Sequence, residues 1–198
     1  PAAGDVITQI YADSNGNIWG FSPQGVHTLD ITQSGWTMEQ ASGTQNWPHG
    51  LPRGVLEDDG ILYIPLWETG TGDSGFAAAG VARWDLMTNS PLSTWSTAND
   101  LHSDKITDII RVGDQLFFAS ADAGIGRYDV PGDLWKVTWD ADNWLLDNRV
   151  AGLEVSGDEL FILGKDNVQT YSVSTGSFST SISLESLTLG GEGRNNIL

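Results

Sequence analysis

The 198-residue sequence contains no cysteine, which excludes disulfides, thiolate metal sites and a cysteine nucleophile. Lysine is nearly as scarce, with only Lys105, Lys136 and Lys165 present. Nine Lys and Arg stand against 26 acidic residues, for a formal net charge of −17. Phosphate contacts need clustered cations, so this balance argues against a nucleic-acid partner or an anionic membrane surface. No apolar run reaches the ~18 residues of a helical span, and no membrane insertion is expected. The opening Pro1-Ala-Ala-Gly-Asp5 has neither the charged start nor the apolar stretch of a signal peptide. With no initiator Met, the chain reads as a processed or excised piece.

What is abundant is turn chemistry. There are 24 glycines, with many Asn, Asp, Ser and Thr between short apolar runs. That mix suits many short strands joined by tight turns rather than a helical bundle. Acidity is read first as solubility; a salt-rich habitat or Ca²⁺ binding are the sharper alternatives.

A fixed period organises the chain. Ile10, Val55, Ile109 and Leu153 occupy one repeat position, 45, 54 and 44 residues apart. The long middle interval reflects one insertion, Glu68 to Ala79. A hexamer recurs as Gly25-Val-His-Thr-Leu-Asp30, Gly80-Val-Ala-Arg-Trp-Asp85, Gly124-Ile-Gly-Arg-Tyr-Asp129 and Asn167-Val-Gln-Thr-Tyr-Ser172. Asp58-Asp-Gly60, Gly113-Asp114 and Gly157-Asp158 read as hairpin turns, because Gly and Asp tolerate positive φ. Fourth strands are expected near 36–39, 93–97, 134–139 and 177–182.

Four antiparallel strands per ~45 residues predict an all-β fold, a β-propeller of four blades. A sandwich or β-helix is the competing architecture. Approximate blades are 5–50, 51–103, 104–147 and 148–192, with 193–198 opening a fifth unit. The chain would then be part of a larger propeller, or a half closed by a second copy as a homo-oligomer. Trp36, Trp95 and Trp135 or Trp139 are expected between blades, whereas Trp47 and Trp144 fall in connections.

Leu101-His-Ser-Asp-Lys-Ile-Thr-Asp-Ile-Ile110, then Gln115-Leu-Phe-Phe-Ala-Ser120 and the third hexamer, resemble the two-component-regulator type of propeller repeat. The first unit does too, through Asp13-Ser-Asn-Gly-Asn-Ile-Trp19. The resemblance implies an extracellular, periplasmic or cell-surface binding or scaffold module and transfers no catalytic residue. The fourth unit departs from it at Asn167 and Ser172.

Function is expected in loops on the rigid scaffold. The candidate ligand- or partner-binding residues are Trp47, His49, Trp67, Phe76, His102, Trp144 and Arg149, presented to a protein or a neutral carbohydrate. His49 and His102 lie in equivalent connections. They would be the acid–base pair of the alternative reading, a carbohydrate-active lyase or hydrolase working in a propeller channel. A self-assembling structural element is a further alternative. His27 reads as packing. No cofactor is required; Asp140, Asp142 and Asp147 are weak Ca²⁺ candidates, and Asp13–Asn17 lacks the downstream Glu of a calcium loop.

Overall fold

The computed structural model describes residues 6–22, 25–30, 35–41, 50–67, 78–179 and 181–183. Four antiparallel sheets follow one another along the chain. The first holds β1 (Gln9–Ala12), β2 (Ile18–Ser22), β3 (Gly25–Asp30) and β4 (Gly35–Ala41). The second holds β5 (Leu51–Pro52), β6 (Leu56–Asp58), β7 (Ile61–Trp67), β8 (Ala78–Asp85) and β9 (Ser90–Trp95). The third holds β10 (Ile106–Val112), β11 (Gln115–Ser120), β12 (Ile125–Asp129) and β13 (Leu134–Trp139). The fourth holds β14 (Val150–Ser156), β15 (Glu159–Gly164), β16 (Asn167–Ser172), β17 (Ser177–Phe178) and β18 (Ile182–Ser183).

Each sheet is a four-strand meander. In the second, the first strand is broken into β5 and β6, which both pair with β7, around Arg53-Gly-Val55. In the fourth, the last strand is broken into β17 and β18, which both pair with β16. The register confirms the repeat position: Ile10 pairs with Gly20, Ile109 with Phe118 and Leu153 with Ile162. The Asp59-Gly60 turn has φ of 47° and 75°, the left-handed pair that lets a two-residue hairpin follow the strand twist.

Alternation along the strands gives every sheet two apolar faces, here named rear (toward the preceding sheet) and front (toward the following one). Trp19, Phe21 and Val26 on the first front pack against Leu62, Ile64, Leu66 and Trp84 on the second rear. Tyr63, Val81 and Trp95 on the second front meet Leu116, Phe118, Tyr128 and Trp135 on the third rear. Phe117, Ile125 and Trp139 on the third front meet Leu153, Leu160, Ile162 and Tyr171 on the fourth rear. Each fully buried side chain of this size contributes about 1.5–3 kcal/mol. Trp95, Trp135 and Trp139 thus lie between sheets, as their spacing predicts, whereas Trp36, expected there too, stands on the rear of the first sheet across Gly20. His27 is fully buried, with Nε2 3.0 Å from Ser22 Oγ.

Polar ties cross the same seams. Tyr11 Oη donates to Glu57 (3.1 Å), Arg111 is paired with Asp58, and the Leu153 amide donates to Asp108 Oδ2 (2.8 Å). Asp13 closes its own loop by accepting from the Asn15 and Asn17 amides and from Trp19 Nε1. Burial works to raise the Asp13 carboxyl, but these hydrogen bonds outweigh it and hold the group below its ordinary value. A turn accounts for Asp13–Asn17 without calcium.

The propeller expectation is overturned. The four sheets are separate, and none is closed into a barrel or propeller. Among the described residues the core clusters join only successive sheets, and none joins the fourth to the first. A 45-residue period specifies one meander and one stacking contact. Closure depends on the angle between successive sheets, which no repeat residue reports. The proposed opening of a fifth unit at 193–198 lies outside the described residues.

Candidate functional site

Two unit-to-unit connections carry the loop residues, and they are built on one frame. Thr94-Trp-Ser-Thr-Ala-Asn-Asp-Leu-His-Ser-Asp-Lys-Ile106 and Thr138-Trp-Asp-Ala-Asp-Asn-Trp-Leu-Leu-Asp-Asn-Arg-Val150 correspond residue for residue. In the first, the Ser96 amide donates to Asn99 Oδ1 (2.6 Å) and Asn99 Nδ2 to the Thr94 carbonyl (2.7 Å). In the second, the Asp140 amide donates to Asn143 Oδ1 (3.0 Å) and Asn143 Nδ2 to the Thr138 carbonyl (3.1 Å). Asp104 Oδ1 accepts from the Thr97 amide and Asn148 Oδ1 from the Ala141 amide, each at 2.7 Å. Leu101 and Leu145 plug the two loops from inside, both buried.

These connections share one end of the stack with the turns between second and third strands. The Ala121 amide donates to the Lys105 carbonyl (2.9 Å) and the Gly124 amide to the Asn148 carbonyl (2.8 Å). Trp67 joins them from the second sheet: its Nε1 donates to the Ile106 carbonyl (2.6 Å), and the Arg53 guanidinium lies 5.0 Å from its ring centre.

Around His102 the first connection forms an open polar hollow of about 360 Å³, lined by Thr97, Ser103, Asp104, Lys105, Asp122 and Ala123. Asp122 is its hub. It accepts from Ser103 Oγ at 2.7 Å and pairs with Lys105 Nζ at 2.7 Å. Burial would raise the Asp122 carboxyl, yet the Lys105 and Ser103 hydrogen bonds win and lower it. His102 Nε2 accepts from the Gly126 amide (3.2 Å), which leaves the neutral ring its proton on the buried Nδ1. Burial pushes this imidazole down from 6.5 to about 4, against weaker opposing effects of the Gly124 backbone and the Asp122 charge.

That arrangement is poorly suited to acid–base chemistry near neutral pH, where a catalytic base needs a matched pKa and a free lone pair. Ser103 Oγ is committed to Asp122, so the hydroxyl, imidazole and carboxylate do not form a nucleophile relay. Among the described residues the sheets do not close, so they do not form the channel in which the carbohydrate-active alternative places its site.

The other predicted residues divide cleanly. Trp144 and Arg149 lie in the second connection, both exposed, with Trp144 at 45%. Asp140 Oδ1 caps the Asp142 amide and Asp147 Oδ1 the Arg149 amide, each at 2.9 Å. Among the described residues no group of three or more His, Asp or Glu is placed to hold a metal ion. Trp47, His49, Phe76 and most of the insertion lie outside the described residues, and with His49 so does the acid–base pair expected of it and His102. Sequence reasoning missed Ser103, Lys105 and Asp122. Aligning the two connections would have exposed their shared frame; Asp122, on a different turn, carries no such signal.

No family model and no curated protein sequence matches the chain. Solved structures do resemble it in fold. The extracellular domain of BT4673 from B. thetaiotaomicron, assigned to a hybrid two component system, superposes with a TM-score of 0.68 at 16% identity, over 90% of this chain and 21% of that one. The corresponding domain of BT3049 from the same organism gives 0.66 at 16% identity, over 86% and 22%. The computationally designed Ika4 protein gives 0.57 at 14% identity, over 86% and 92%. The chain spans about a fifth of the length of the two bacterial domains.

Proposed function

We propose that this domain is a non-enzymatic recognition module of an exported or cell-surface protein, binding a protein or a neutral carbohydrate through the connection end of its sheets. One observation carries the reading: two connections share the same hydrogen-bonded frame but display different side chains. One presents the Lys105–Asp122 pair beside a largely buried His102, and the other presents Trp144, Leu146 and Arg149. A constant frame with varied tips is the arrangement expected of binding loops on a rigid scaffold. The fold resemblance to extracellular domains of two component systems supports export. The net charge of −17 disfavours anionic ligands.

Trp144 is the expected anchor, since exposed aromatic rings dominate such surfaces. Tryptophan-fluorescence and calorimetric titrations against neutral oligosaccharides and basic or neutral peptides should identify a ligand. Trp144→Ala should weaken it by about tenfold or more. Met87→Ser, on the turn at the opposite end of the second sheet, should leave affinity unchanged. A ligand that tolerates both Trp144→Ala and Lys105→Ala, or that is lost with Met87→Ser, would place recognition elsewhere.

A further inference from the structure

Three seams hold the four sheets, and each is a front on a rear. Among the described residues that leaves a front on the fourth sheet and a rear on the first with no sheet packed on them; on the first rear His27 and Ser22 are nonetheless buried, and its open part is at Ile10 and Met38. By register Phe161 is the counterpart of Phe117 and Tyr63, since all three sit opposite the same positions of the neighbouring strands. Phe117 and Tyr63 are each 4% exposed, whereas Phe161 is 37% exposed. Leu163 (40%) and Ile182 (54%) stand on the same face and correspond to the buried Ala119 and Trp139. Val168 completes an apolar centre, and Glu154 stands at its margin where the third sheet has Ile110.

The first rear shows the complementary pattern. Ile10, the counterpart of the buried Ile109, is 66% exposed. Ile18 and Leu29 flank it at the positions where the third sheet has Leu116 and Tyr128. Trp36 lies across Gly20, where a Cβ would come within 2.6 Å of the indole ring. The aromatic ring thus occupies the place that Phe118 fills in the third sheet.

We infer that these two faces bind each other between molecules, so that a second copy of this chain stacks its first sheet on the fourth sheet of its neighbour. The contact continues the three seams already present, with the same repeat positions meeting in the same order. It is heterologous, front to rear, so it propagates beyond a dimer unless rotation closes it. An apolar centre with an acidic margin, on a chain of net charge −17, also makes association stronger at high salt, as screening relieves repulsion between copies. The connection loops take no part, so this inference and the recognition reading can fail independently.

The test is mass against concentration, by analytical ultracentrifugation at low and high salt. Wild type should form dimers and longer species, more so in salt. Ile10→Asp and Phe161→Asp should each weaken association by roughly 30-fold or more. Mixed together they should recover a dimer and nothing larger, because each supplies the face the other lacks. Circular dichroism checks that both are folded, with Ile10→Lys and Leu163→Lys as second choices. A wild type that stays monomeric throughout, a single variant that still associates, or a mixture that does not recover the dimer would each overturn the inference.

Discussion

Gly124→Ala is expected to destabilise the domain by about 3–5 kcal/mol, the combined cost of left-handed strain and backbone overpacking. Gly124 has φ +81°, and a Cβ there would collide with the Trp139 carbonyl oxygen, part of the next strand's backbone. A side-chain neighbour would rotate away; a strand carbonyl cannot. The Gly124 amide also ties the third sheet to the second connection through Asn148, so relieving the clash would break a seam. Gly80 repeats every element of this, with φ +81° and the Trp95 carbonyl in the same place. Urea unfolding monitored by tryptophan fluorescence measures the loss. As a control, Gly54→Ala, where no atom lies within 4 Å of the added Cβ, should change stability by well under about 1 kcal/mol. Equal effects of the two substitutions would refute the account.

His102 should impose an acid-side loss of stability. Its folded value is about 4, against 6.5 for the free side chain. Above the higher value the ring is neutral whether the chain is folded or not, and the contribution is fully present. As pH falls from 6.5 toward 4, the unfolded chain takes up a proton that the folded chain refuses, and stability falls. Below about 4 both states are protonated and the effect levels off. Between pH 7 and pH 4.5 the loss through this one residue is about 2.5 kcal/mol. His102→Gln retains an acceptor for the Gly126 amide and has nothing to titrate. Unfolding free energies at the two pH values should therefore differ less in the variant, by about that amount. An unchanged difference would mean that His102 is hydrated enough to protonate in the folded state.

Much of the architecture is legible in the sequence, for reasons these residues make concrete. The recurrent glycine of the hexamer marks Gly80 and Gly124 because only a residue without Cβ passes beneath the next strand's carbonyl. Where the fourth unit has Asn167 instead, the strand beside it is the one that splits into β17 and β18. The spacing of Ile10, Val55, Ile109 and Leu153 places the first strands, and Trp95 and Trp139 announce the seams. Closure was not legible, because it depends on the angle between successive sheets, which leaves no mark on any single residue. The hollow at His102 was half legible. Its histidine stands out by rarity, but Asp122, which fixes Ser103 and Lys105, belongs to a turn 17 residues or more away and is brought near only by the stacking of strands.

The confinement of core contacts to successive sheets gives the molecule a nearest-neighbour energetics. Its stability is close to a sum of unit terms and three coupling terms, as in a short one-dimensional lattice. Among the described residues the first and fourth sheets have one coupling each and open before the second and third, which are coupled on both sides. Amide exchange should therefore rise from the second and third sheets outward rather than appear as one cooperative block. The same additivity means that duplication or loss of a unit adds or removes one coupling without disturbing those already made.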